Sequence, residues 1–256
     1  MSTKQVMQLA VLAGQIMMES GAETYRVEDT MKRIMNASTR SGEPFALPTG
    51  LFASAEDETG QVVTLVYRIK KRSLHLGKVA AVNDLSRAYV KGRLTLPEAM
   101  ERLAVIEAMP RYPDAIIMAA MAVTSACFTY MFGGAAVSCA VSFLIGGALG
   151  LHVTFSQGKG LADVLVNIGG GAIIALLTLG ACLVCAGARP FFDKIIIGSL
   201  MPLVPGLKFT NAVRDVIEGD FLSGASRLMD ALLDAAAIAA GIGAVLSLGA
   251  YWGFSL

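Results

Sequence analysis

The side chains best suited to chemistry gather around one interruption late in the chain. Met201-Pro-Leu-Val-Pro-Gly206 breaks an apolar segment at Pro202, Pro205 and Gly206, and polar residues follow at once. Asn211 and Asp215 are four apart, so they share a helical face, with Arg214 adjacent to it. Arg227, Asp230 and Asp234 are spaced i, i+3, i+7 and share a face at the start of the last apolar helix. Ionisable groups within a membrane are costly, and they face a cavity or pair with one another. Secondary transporters build mid-membrane sites from broken helices placed beside such groups. Asn211, Arg214, Asp215, Asp230 and Asp234 are therefore the expected substrate or proton pathway, with Asp234 the protonatable carboxylate. A plainer alternative stands beside this. Arg227 and Asp230 could mark the end of a helix at the membrane surface, and Arg214 with Asp215 an interfacial amphipathic segment.

A second polar group lies near the start, where Glu23, Arg26 and Glu28 follow Gly21. These residues could line a cleft in a cytoplasmic domain, and a salt-bridge cluster at a helix start accounts for them equally well. Other motifs carry little. His75 stands alone, and Cys182-x-x-Cys185 sits in an apolar segment with no second pair, which reads as small packing residues. Asn36-x-Ser38 matches a glycosylation acceptor by chance, inside an expected intracellular helix. The run Arg68, Lys70, Lys71, Arg72 reads as a solvated strand end, with anionic headgroups as the sharper alternative. No phosphate-binding loop, nucleophile elbow or zinc spacing occurs, and Ser156-Gln-Gly-Lys-Gly160 lacks the loop's frame. Neither an enzyme nor a bound cofactor or metal is expected, and a transporter built this way would draw on an ion or substrate gradient.

The elements that must position these residues fall into two regimes. The apolar run Val6 to Met18 is too short to span a bilayer and lacks a cleavage pattern, so it reads as a buried helix, Lys4 to Ser20, closed by Gly21. Thr24 reads as the N-cap of a helix whose buried stripe is Val27, Met31, Ile34 and Met35. Two strands are expected, Phe45 to Ala55 and Gln61 to Ile69, around a turn at Glu56–Gly60. Helices follow at Lys78 to Val90 and Leu96 to Met109, with Pro97 in a first turn. Residues 1–112 thus form a small α+β cytoplasmic domain, closed by the break Pro110-Arg111-Tyr112-Pro113.

Residues 113–256 form an α-helical transmembrane domain of about five spans. Asp114 to Phe132, Ala135 to Leu151, Leu161 to Ala186 and Ala231 to Trp252 read as full crossings. The fourth element, Ile195 to Leu207, is short and broken by its prolines, and Phe209 to Glu218 continues it at an angle or along the interface. Glycines such as Gly146, Gly150, Gly169 to Gly171, Gly241 and Gly243 suit close helix packing, and those in mid-span could also loosen a helix that must bend.

Composition agrees. The 256 residues are 55% hydrophobic and 16% charged, against about a quarter charged in a soluble domain. Of 21 Lys and Arg, 15 lie at or before Arg111. A net charge of +1 gives no basic field for nucleic acid. With five crossings, Lys159, Lys208, Arg214 and Arg227 share the side of the basic first domain, and Arg189 and Lys194 take the other. That asymmetry places the N-terminus in the cytoplasm.

At four places the chain resembles the threonine/serine exporter (ThrE) family, in particular its separate N-terminal subunit of the YjjP type. They are Ser20-Gly-Ala-Glu-Thr-Tyr-Arg-Val-Glu28; Pro48-Thr-Gly50; Arg87 with Leu96 to Ile106 and Tyr112; and Met201-Pro-Leu-Val-Pro-Gly206 through Asn211, Arg214-Asp215, Gly219-Asp220 and Ser223-Gly224. The resemblance implies a five-span, multi-pass subunit of the cell inner membrane that exports small polar metabolites, threonine and serine or a dicarboxylate such as succinate. Longer family members carry a second membrane module, so a small polytopic partner subunit of the YjjB type is expected, in an oligomer within the lipid bilayer. A carboxylate-bearing substrate could engage Arg214, Arg227 or a half-helix N-terminus. A non-transporting scaffold or ligand-sensing regulatory subunit is the competing function.

Overall fold

Val6 to Met18 folds as the core of helix α1 (Thr3–Glu19). Val6, Met7, Leu9, Ala13 and Met17 are fully buried, so apolar residues around much of its circumference find partners, as in a central helix rather than a surface one. The structure, a computed structural model, describes residues 2–37, 41–57, 59–70 and 73–251. Helix α2 (Thr24–Asn36) packs on α1 through the expected stripe Val27, Met31, Ile34 and Met35. Gly14 permits the approach: a Cβ there would lie 2.5 Å from Met31 Sδ.

The sheet is an antiparallel meander of β1 (Gly42–Leu47), β2 (Gly50–Glu56) and β3 (Val62–Arg68), in that spatial order. The single strand expected over Phe45–Ala55 is thus two. Leu47 pairs with Gly50 across a turn made by Pro48 and Thr49. Proline fixes φ for such a turn and has no amide to give a ladder, whereas apolar residues on both sides conceal the break from pattern reading. Alternation then sorts the faces: Ala46, Leu51 and Ala53 are buried, while Phe45, Phe52 and Val66 are exposed. In the β2–β3 turn Asp57 accepts hydrogen bonds from the amides of Thr59 and Gln61. Glu58 of that turn lies outside the described residues, as do Ser38, Lys71, Arg72 and Trp252. Helices α3 (Leu76–Val90) and α4 (Leu96–Glu107) complete this region, α4 opening on a Thr95–Glu98 capping box.

Among the described residues four further helices are long and apolar enough to cross a membrane: α5 (Asp114–Met131), α6 (Ala136–Gly158), α7 (Asp163–Val184) and α10 (Phe221–Tyr251), where α8 and α9 are described next. A fifth candidate is the broken pair Ala186–Leu203 and Gly206–Ile217. Its first half contains α8 (Phe192–Leu200) between two 3-10 segments, Ala186–Phe191 and Met201–Leu203, and its second half is α9 (Gly206–Ile217). α10 starts at Phe221 rather than at the expected Ala231, so Arg227 and Asp230 lie inside the helix, together with Asp234.

Two units result, Met1–Arg111 with Lys208–Leu228, and Tyr112–Leu207 with Met229–Leu256. The segment Lys208–Leu228, expected in the transmembrane half, packs with the N-terminal region. In the second unit glycines bring helix backbones together. Cβ atoms on Gly146 and Gly150 of α6 would lie 2.7 Å from the Met121 carbonyl oxygen and the Met118 Cα of α5. Gly171 of α7 faces the Ile238 carbonyl, and Gly241 of α10 faces the Ile168 carbonyl. α7 runs unbroken through Gly169 to Gly171, and Gly171 serves packing.

Candidate functional site

Asp215 is fully buried on α9, and its carboxylate meets the first turn of α2. The Thr24 amide donates to Oδ1 at 3.2 Å, and the Thr24 hydroxyl donates to Oδ2 at 3.1 Å. Thr24 is therefore not the N-cap: Glu23 holds that position without a side-chain cap, and Asp215 caps the helix from a distant part of the chain. The charge is also balanced. Arg227 Nε lies 2.9 Å from Asp215 Oδ2, and Arg227 Nη2 donates to the Ala22 carbonyl at 2.8 Å.

Two glycine turns shape this cluster. α1 ends in Gly21 at φ +88°, with the Ala22 amide returning to the Met17 carbonyl, a left-handed helix end that only glycine adopts cheaply. The turn presents two carbonyls: Ala22 to Arg227, and Gly21 to the Asn211 amide at 3.2 Å. α9 ends the same way. Gly219 has φ +95°, and the Asp220 amide donates to the Asp215 carbonyl. At Gly224 a Cβ would lie 2.9 Å from the Ala212 carbonyl oxygen, so glycine lets the start of α10 press on α9 and bring Arg227 to Asp215.

An outer layer surrounds the buried pair. Glu23 takes Arg214 at 2.5 Å and Arg26 at 3.3 Å. Glu28 turns elsewhere and accepts the Ala46 amide at 2.7 Å, tying α2 to the sheet. Burial pushes the Glu28 carboxyl above the ordinary range against the pull of that amide, and the charges of Asp220 and Asp215 push it further. Asp220 is raised as well, by desolvation first and then by Asp215 and Glu218. Asn211, Arg214, Asp215, Glu23 and Arg26 thus form one cluster with Arg227 and Thr24.

The other residues lie elsewhere. Pro202 is in the Met201–Leu203 3-10 segment, and Pro205 directly precedes Gly206, the first residue of α9. Asp230 and Asp234 belong to the second unit. There Asp234 is nearly buried and accepts from Asn167 Nδ2 at 2.9 Å. Asn167 escaped sequence reading. Its signal was an amide inside an apolar run, four residues before Gly171 on α7, and helix spacing puts it one turn along the seam where Gly171 faces Ile238. Asp234 occupies the matching place on α10, four residues before Ile238. Among the described residues no group of three or more His, Cys, Asp or Glu could hold a metal ion.

Several apolar helices of spanning length, with polar groups sequestered among them, are the make-up of a multi-pass membrane protein. The sequence model described as "Putative threonine/serine exporter" matches residues 8–249. The chain belongs to this family, ThrE. It is 22% identical over 243 residues to a "Probable threonine/serine exporter" of Mycobacterium tuberculosis, covering 94% of this chain. It spans about half, 45%, of that relative's length. No solved structure matches.

Proposed function

We propose that the chain is one subunit of a gradient-driven exporter of small polar metabolites, threonine and serine or a dicarboxylate such as succinate, in the cell inner membrane. The family match over residues 8–249 carries this reading. The partner is a small polytopic membrane subunit of the YjjB type, and the N-terminal α+β unit faces the cytoplasm. Asp234 with Asn167 is the polar step in the pathway: a nearly buried carboxylate, held by a neutral amide on the seam between α7 and α10, suits a group that takes up and releases a proton or a substrate ammonium. Asp230, one turn earlier on α10, belongs to the same path. Asp215, Arg214 and Asn211 serve instead to position α9 and α10, which the bonds of Asp215 to Thr24 and Arg227 support.

The test is counterflow in liposomes holding this chain and its partner, with threonine, serine and succinate as separate substrates. Asp234→Asn should abolish exchange of the accepted substrate while the protein stays folded. Wild-type exchange by that variant overturns the pathway assignment, and full exchange by the partner alone makes this chain regulatory.

A further inference from the structure

Helix α9 is built inside out. Its buried residues are Asn211, Ala212 and Asp215, two of the three polar, whereas Phe209, Val213, Val216 and Ile217 are exposed. At 100° per residue these four fall within one arc, well away from the Asn211–Asp215 face. Phe221 and Leu222, just beyond the Gly219 turn, are exposed as well. The helix cannot roll to hide this surface, because Asn211 is bonded to the Gly21 carbonyl, and Asp215 to Thr24 and Arg227.

We propose that this surface of the first unit rests in the interfacial layer of the bilayer, with α9 lying along it and its apolar arc in the upper acyl chains. Three observations select lipid as the occupant. The arc runs into α10, itself apolar enough to cross a membrane, so the chain approaches the bilayer here. Arg214 is on the same helix and is 46% exposed even while paired with Glu23, so its long side chain can reach anionic headgroups. Apolar on one face, polar on the other and of modest overall hydrophobicity, α9 has the make-up of helices that lie in the interface rather than cross it.

The experiment uses the full chain in proteoliposomes of neutral and anionic phospholipid. The sequence has one tryptophan, Trp252, which is replaced by phenylalanine, and single probes are introduced as Phe209→Trp and Ile217→Trp. Both positions are exposed, so the substitutions disturb no packing. Both probes should lose most of their emission to lipids brominated near the headgroup end of the acyl chain, and little to acrylamide in the water. Strong acrylamide quenching at both positions overturns the proposal in favour of a solvated helix. Protection from both quenchers overturns it in favour of a protein cover, a second copy or a partner subunit. Quenching greatest with bromines at the acyl-chain ends overturns it in favour of a helix that crosses.

Discussion

Two nearly buried aspartates in the same chain are held in different ways. In the first unit Asp215 has a guanidinium, a helix N-terminus and a hydroxyl around it, and in the second Asp234 receives the amide of Asn167. Asp215 closes a structure. Its shown partners come from two other elements, α2 and α10, so its bonds fasten α2, α9 and α10 to one another. Asp234 sits where two backbones already touch through glycine, so the helices there do not depend on the carboxylate to meet. Burial alone therefore does not say what a carboxylate does. What matters is whether the fold needs the charge where it is.

Stability in detergent, followed by thermal or denaturant unfolding, tests the contrast. Arg227→Met should have the largest effect: it strands the Asp215 charge, and losing one partner of a buried pair costs about 3–5 kcal/mol. Adding Asp215→Asn should restore part of that, and strictly additive losses would show that the two residues are uncoupled. Thr24→Val removes a hydroxyl donor and leaves the amide in place, for an expected loss of about 1–2 kcal/mol. Asp234→Asn should cost less than about 1 kcal/mol, since an amide keeps the shape and an acceptor for Asn167; a loss as large as that of Arg227→Met would erase the distinction drawn here. Glu28→Gln should have the smallest effect and the opposite sign. Because the folded protein holds the Glu28 proton more tightly than the unfolded chain, ionisation opposes folding, and stability falls as pH rises from the ordinary carboxylate range through the raised value. Glutamine keeps the acceptor for the Ala46 amide and removes that slope, which unfolding midpoints between about pH 4 and 8 would reveal.

Much of this was legible from residue types and spacing. The stripe Val27, Met31, Ile34, Met35 and the four long apolar helices follow from periodicity and length, which are local properties. The β1–β2 turn was hidden because Phe45 to Ala55 is apolar on both sides of Pro48. Asp215 and Asp234 looked alike for a related reason. Thr24 meets Asp215 and Asn167 meets Asp234, and spacing along one segment does not report what a distant segment brings. The blocks at Ser20–Glu28 and Met201–Gly224 were both visible as family-like, and the structure adds that the first supplies the Gly21 carbonyl and the helix start that the second grips.

The cap on α2 has a consequence in time. The first turn of this helix finds its acceptor 191 residues later in the chain. At a synthesis rate of about 5–20 residues per second, the segment from Gly21 to Thr24 waits roughly 10–40 s for Asp215 to be made. All the helices from α3 to α8 are translated in that interval. The N-terminal unit is therefore begun before the second unit but completed only after Tyr112–Leu207 of that unit has been made, and a ribosome that stalls among the membrane helices leaves it open at the α1–α2 corner.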